Sequence, residues 1–401
     1  MTLTDKTYDV AIVGAGPAGS SSAIRLACGG MKVLLIEQKK FPRAKLCGEF
    51  ISPECLDHFK ELKVLDNMLT AGGVALDKTV FYARNGRSLT VPSEWFAQGS
   101  NALGLSRAAM DGALLDRARC VGVDILEETD AVDLLFYNER VCGIGVRDKD
   151  RQTFEVKATL TIDGTGRARK LSRLVDKARG NSKLRRADFV AFKTHLRNVG
   201  IPDGVCEIYG YRGGYGGSSR VENGLHNHCF IVSANLAKKY RGDAVEIMKH
   251  VVQTNRQAAQ SFRDARIVDE WLAVPIESFG RAPLVSAEGL LAVGDAGAFI
   301  DPFTGSGILM ALESAKISAD VINSEFTRSG PGLSFRSIAR QYQDRYGAKF
   351  NRRLRISSLL RRAAFVPFLA EIVVSGLSLS QGLTRRVAQA TRQTETIRSS
   401  R

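Results

Sequence analysis

The chain has 401 residues, 44% hydrophobic and 25% charged, a globular composition long enough for a sizeable core and roughly two domains. Seven cysteines without a CxxC pair, and no charged start leading into an apolar run and a cleavage site, speak against a secreted disulfide scaffold; the expectation is a reduced, cytoplasmic setting. The net charge of +15 is uneven: residues 336–401 hold 14 Lys/Arg against three acids. Apolar residues are interleaved there ("SSLLRRAAFVPFLAEIVVSGLSLSQGL"), which suits a lipid interface better than a nucleic-acid backbone. Two readings stay open for 336–401: a helical hairpin packed on its own domain with a solvated basic face, and peripheral contact with an anionic membrane surface. The apolar stretch Ala363–Leu379, broken by Pro367 and Glu371, is too short to span a bilayer.

In chain order, "YDVAIV" (Tyr8–Val13) predicts a buried strand, "GAGPAG" (Gly14–Gly19) a turn, and "SSSAIRLACGG" a helix closed by Gly29 and Gly30. "KVLLIE" (Lys32–Glu37) is the next strand, completing a β-α-β unit. Residues 41–60 read as loop into helix, and 72–98 as strands. Ser106–Gly122 reads as a helix. "VDILEET", the hairpin "AVDLLFYNERVCGIGVR" turning near Asn138–Glu139, and "FEVKATLTIDGTG" read as strands. A second strand-rich block runs through "ADFVAFKTHL", "GVCEIYGYRGGYGGSSRVENG" and "HNHCFIVSANL", and "AVEIMKHVVQTNRQAAQSF" predicts one helix. A nucleotide-type pattern returns with "GLLAVGDAGAFIDPFTGSGILMALESAKISADVI". The organisation expected is a discontinuous nucleotide domain (1–70, 100–175, 280–325), an inserted sheet-rich substrate domain (71–99, 176–279) and a basic helical region (326–401).

Gly14, Gly16 and Gly19 fit G-x-G-x-x-G between a strand and a helix. They allow a tight turn, backbone approach to a pyrophosphate, and close helix–strand packing, with Pro17 and Ala18 opening the helix. The helix N-terminus offers unpaired N–H groups to phosphate. Glu37, followed by Gln38, ends the second strand, where an acid accepts from a ribose hydroxyl. The later motif separates FAD from NAD. Asp295 after Gly294 ends a strand and is a candidate acceptor from a flavin ribityl chain. A helix opening near Pro302, Gly305, Gly307 and Ile308 can aim N–H groups at the flavin pyrimidine edge.

These stretches, with "SRAAMDGALLDRA" and "TIDGTGRAR", resemble the FAD-binding set of the flavoprotein hydroxylase superfamily. That group includes aromatic-ring monooxygenases, flavin-dependent halogenases and geranylgeranyl reductases, and the resemblance covers about residues 7–325. It implies an α/β fold with a Rossmann-like FAD-binding domain of the para-hydroxybenzoate hydroxylase type, an inserted sheet-rich domain and C-terminal helices. It also implies cofactor contact by Arg107, and by Asp163-Gly164 near the pyrophosphate.

"FPRAKLCGEFISPE" is similar to the Pro-Arg-x-Lys-x-Cys-Gly segment of the geranylgeranyl reductase branch, which puts Cys47 beside the flavin ring. Gly48 would let backbone approach the ring, and Arg43 and Lys45 are expected to add positive charge and lower the thiol pKa. Cys47 is then either a proton donor after hydride transfer or a lining residue. Two departures stand out. Glu49 replaces the branch's second Gly, and "GGYGGSSRVENG" replaces its Tyr-x-Trp-x-Phe-Pro-like segment, leaving Tyr215, flanked by glycines, as a second catalytic candidate facing the flavin cavity.

A halogenase would need a lysine; Lys78 is the candidate, without the tryptophan motif of that group. His226 and His228 share a strand face, but Cys229 points away, so no metal site is expected. Asp111, Asp116 and Arg117 read as a charged helix face. With no second G-x-G-x-x-G, the reductant would be a visiting NAD(P)H or a protein electron donor. The expected activity is reduction of a C=C bond in a hydrophobic lipid-like or polyketide-like molecule. The alternatives are hydroxylation with NAD(P)H and oxygen, halogenation, or a non-catalytic membrane-associated flavoprotein.

Overall fold

The apolar runs of Thr7–Val13 and Val33–Ile36 are buried almost throughout, as strands covered on both faces must be. In the computed structural model they are central strands of a parallel array. The structure describes residues 6–97, 99–181, 186–277, 279–330, 332–365 and 380–390. Across this sheet the order is Val285–Ala287, Leu290–Ala292, Thr153–Asp163, Thr7–Val13, Val33–Ile36 and Asp124–Leu126. The last five are mutually parallel. The hairpin Asp130–Tyr137/Arg140–Arg147 pairs with the first half of Thr153–Asp163 and turns at Asn138 and Glu139, both at positive φ.

The helices Pro17–Cys28, Arg107–Cys120 and Gly307–Ser329 cover one face of this sheet, giving a core that includes Ile12, Leu26, Leu114 and Leu312. The hairpin and the helix Lys170–Ala178 cover the other.

The second sheet runs Arg266–Ile267, Phe189–Arg197, His226–Ser233, Gly214–Arg220, Val205–Tyr211, Lys78–Tyr82 and Ser88–Pro92. Only the pairing of Val205–Tyr211 with Lys78–Tyr82 is parallel in that path. Side chains alternate across it. Phe192, Tyr209 and Phe230 pack outward against Ile247 and Phe262 of the helical layer, while Ala191, Tyr215 and Ile231 face the first sheet's domain.

That helical layer corrects one expectation. The single helix expected over 244–262 is two, Ala244–His250 and Arg256–Ser261, parted by a short 3-10 turn. Asn255 makes the break: its Oδ1 caps the second helix by accepting from the Gln257 and Ala258 amides, and its Nδ2 donates to the Tyr82 and Gly210 carbonyls.

Helix Phe335–Phe365 packs through Ile338, Tyr342, Tyr346 and Phe350 and exposes Arg336, Arg340, Arg345, Arg352 and Arg355. Residues 366–379, the centre of the apolar stretch considered above, lie outside the described residues. Among the described residues no helix is long and apolar enough to cross a membrane.

Candidate FAD site and the cavity beside it

Between the two sheets lies a cavity of about 1280 Å³. Its first end is the glycine turn. Gly14 sits at φ +99°, and a Cβ there would stand 2.4 Å from the Gly164 carbonyl oxygen. A Cβ on Gly19 would stand 1.8 Å from the Gly14 oxygen, so only glycine lets this helix close on its strand. Gly16 caps the helix with no side-chain hydrogen bond and Pro17 follows, so the first-turn amides have no capping side chain. Gly14, Gly16, Pro17, Ala18, Glu37 and Gln38 all line the cavity. Glu37 also braces the turn: its carboxylate accepts from the Ala15 amide at 2.9 Å and the Lys39 amide at 3.0 Å.

The second motif closes the same cavity. Asp295, Pro302, Gly305, Gly307 and Ile308 line it, and helix Gly307–Ser329 starts at its wall. Gly294 stands behind, its amide donating to Ser314 Oγ at 2.9 Å. The Asp295 carboxylate has no hydrogen-bond partner among the described residues. Burial pushes its pKa up to about 6, against the pull of Arg167, Arg107 and Lys45. An acceptor left open at the cavity wall fits a ribityl hydroxyl. Two uncapped helix starts and one open acceptor around a single cavity are the donor and acceptor set that FAD requires.

Asp163 differs from the expectation. It does not line the cavity; its buried carboxylate accepts from the amides and hydroxyls of Thr165 and Ser172 at 2.6–3.1 Å. It shapes the turn that presents Gly164, which does line the cavity.

Asp111 also differs. Rather than lying on a solvated helix face, it is fully buried. It accepts from Arg107 Nε at 2.9 Å, Arg107 Nη2 at 2.8 Å and Arg43 Nη1 at 3.1 Å. Arg43 additionally reaches Glu37 at 3.4 Å. Both arginines and Lys45 line the cavity, and burial together with Arg43, Arg107 and Arg167 lowers the Lys45 pKa.

Cys47 is half-buried on the cavity wall, and Gly48 beside it faces open space. The thiol is not acidified as expected from Arg43 and Lys45. Burial pushes it up, and the cation that opposes this is Arg107 rather than Arg43 or Lys45. Tyr215 is buried on the same cavity; its hydroxyl donates to Asp301 Oδ1 at 2.5 Å, and its ring meets Phe303 edge-on.

The sequence reading did not foresee Glu49, Lys193 and His195 as a group. Glu49 is at φ +51° with its carboxylate between Lys193 Nζ and His195 Nε2. Their separation of over 140 residues hides this contact from local pattern; the one visible signal was the acid standing where the reductase branch has glycine. Lys78, by contrast, is exposed and does not line the cavity. His226 and His228 do share a sheet face, and His228, held at about 3 by burial, packs against Phe230 and Phe262.

Residues 7–317 match the model of a family described as FAD binding domain. The chain belongs to this family. It is an FAD-dependent oxidoreductase by that membership. Among curated relatives, a digeranylgeranylglycerophospholipid reductase of Methanocella arvoryzae is 30% identical over 321 residues, covering 79% of this chain and 77% of the relative. The fold resembles that of a geranylgeranyl bacteriochlorophyll reductase-like protein from Thermoplasma acidophilum, with TM-score 0.74, 22% identity, and 98% and 94% of the two chains covered. It equally resembles a flavin-dependent brominase, with TM-score 0.78, 19% identity, and 96% and 94% covered. At these identities the structural likenesses establish the flavoprotein fold and not the reaction.

Proposed function

We propose that this flavoprotein reduces carbon–carbon double bonds in an isoprenoid-chain lipid, with Cys47 as the proton donor. The observation that carries the reading is the position of Cys47. It stands on the wall of a cavity that runs from the FAD cradle into a chamber lined by Phe81, Leu89, Val91, Ile208 and Ile231. An apolar chamber of this kind accepts a hydrocarbon chain and offers few groups to orient a polar substrate. Bound FAD supplies the hydride. The raised thiol pKa keeps Cys47 protonated near neutrality, as a proton donor must be. The relatives named for geranylgeranyl-type lipids support the same reading. Electrons would come from a visiting NAD(P)H or a protein carrier. Exposed arginines on helix Phe335–Phe365 are suited to hold the protein against an anionic membrane where such a lipid resides.

Oxygen-dependent hydroxylation is the second reading, favoured by the lack of Trp and Pro in the strand Gly214–Arg220 that faces the cavity. Halogenation is disfavoured because its candidate lysine, Lys78, is exposed and does not line the cavity.

The experiment is to load the protein with FAD, reduce it anaerobically with dithionite, and mix it separately with geranylgeranyl phospholipid micelles and with oxygen. The reduction reading expects flavin reoxidation by lipid alone, with product lipid gaining two hydrogens. A product that forms only with oxygen and gains an oxygen atom refutes it. Cys47→Ser should slow lipid-driven reoxidation at least ~100-fold, in the range of a lost general acid.

A further inference from the structure

The reading above leaves unused a buried charge at the Cys47 end of the cavity. Glu49 is 1% exposed, lines the cavity and sits at φ +51°, in the left-handed region that disfavours residues with a Cβ. Such backbone persists only where its surroundings hold it. Here the holds are explicit. Oε1 accepts from Lys193 Nζ at 3.0 Å and from the Arg107 amide at 2.9 Å, and Oε2 lies 2.6 Å from His195 Nε2. The Glu49 carbonyl accepts from the Leu105 amide at 3.3 Å. Lys193 and His195 belong to strand Phe189–Arg197 of the second sheet, whereas Arg107 opens a helix that covers the first. One side chain thus ties the cysteine segment to both halves of the molecule.

The backbone side of the residue is equally specific. The Glu49 amide donates to Cys47 Sγ at 3.4 Å, and Asn227 Nδ2 donates to the Cys47 carbonyl at 3.2 Å. Rotation about the N–Cα bond sets where a side chain lies relative to its own N–H. At this φ the Glu49 side chain reaches the second sheet while its N–H meets the sulfur.

We infer that Glu49 is a positioning residue for Cys47: its clamped carboxylate locks the backbone that keeps the Glu49 amide on the sulfur. The inference rests on the reading of Cys47 as proton donor. When the S–H bond breaks and a substrate C–H bond forms, the amide keeps its hydrogen and, with Arg107, stabilises the thiolate left behind. The carboxylate donates nothing. Burial raises the Glu49 pKa, but the His195 hydrogen bond and the Lys193 charge outweigh it, so the group is an anion near neutrality. The thiol responds to the same neighbours: burial raises its pKa, and Arg107 and then the Glu49 amide pull it back. A glycine here could adopt the same backbone without strain but could not be clamped.

The test uses full-length FAD-loaded protein and compares two double variants, Glu49→Gln with Lys193→Met and Glu49→Gly with Lys193→Met. Both remove the buried cation together with its partner, so they differ in the clamp and not in charge. Glutamine can still accept from the Arg107 amide and reach His195; glycine cannot. Cys47 alkylation by iodoacetamide is followed across pH, with the modified residue identified by mass spectrometry. The inflection of the glycine variant should lie about one pH unit above that of the glutamine variant, a tenfold loss of thiolate stabilisation. With geranylgeranyl phospholipid micelles as oxidant and equal FAD occupancy, the glycine variant should turn over at least ~10-fold more slowly. Superimposable alkylation profiles in the two folded proteins overturn the positioning role. If either variant does not fold, hydrogen–deuterium exchange of the wild-type protein decides. The Glu49 amide should be protected at least ~10-fold more than that of exposed Gly48, and equal protection overturns the inference. A one-unit separation in proteins that reduce no isoprenoid lipid would support the positioning role while refuting the proposed reaction.

Discussion

Asp111→Asn is the sharpest test of how the arginine pair is held. The native carboxylate is fully buried and accepts three hydrogen bonds from two guanidinium groups at 2.8–3.1 Å. Asparagine keeps the shape but removes the charge and turns one acceptor into a donor facing donors. Hydrogen bonds to charged groups contribute about 1.5–3 kcal/mol each. Breaking a buried ion pair from one side costs about 3–5 kcal/mol. The variant should therefore lose about 3–5 kcal/mol of unfolding free energy in denaturant titrations without FAD. It should also bind FAD more weakly in fluorescence titrations, because Arg107 and Arg43 no longer present a fixed face to the cavity. Asp116→Asn is the control. It lies on the same helix, is 72% exposed and, among the described residues, pairs only with Arg119, so its effect should stay within about 0.5 kcal/mol. If Asp111→Asn matches Asp116→Asn in both assays, the anchoring role is wrong.

Other predictions address separate parts of the structure. Asp295 is held protonated up to about pH 6, and its ionised form is the stronger acceptor for a hydroxyl. FAD affinity of the apoprotein should rise as pH passes upward through that value, and Asp295→Asn should flatten the profile. With a raised carboxyl pKa, the group's contribution to apoprotein stability is fully present below its unfolded value and is lost as pH climbs through about 6, a trend that titration calorimetry and denaturation should both register. Arg353 is buried with its guanidinium 2.7 Å from Glu313, so Arg353→Ala should cost about 3 kcal/mol of stability by denaturant titration. Helix Gln381–Ala390 contributes Thr384, Val387 and Ala388 to the cavity wall. Deleting residues 380–401 should speed oxygen-driven reoxidation of the reduced protein several-fold in stopped-flow absorbance; an unchanged rate would show that this helix does not shield the cavity.

The parts legible before any coordinates were those governed by local rules. The strand–GAGPAG–helix–strand unit with Glu37 specified a dinucleotide cradle, because tight turns and close helix packing admit only glycine at Gly14 and Gly19. The alternating strands and the Asn138–Glu139 turn were equally local. Only the tertiary structure decided which charged side chains leave water. Asp111 and Asp116 sit five residues apart on one helix, and burial against the sheet rather than residue type separates a buried anchor from a solvated acid. Local sequence supplied Glu49 as an acid in a loop; a strand more than 140 residues away supplied the lysine and histidine that enclose it. Helix and strand periodicities repeat within a few residues, whereas desolvation and ion pairing depend on which distant segments meet, and that is settled when the two sheets close around the cavity.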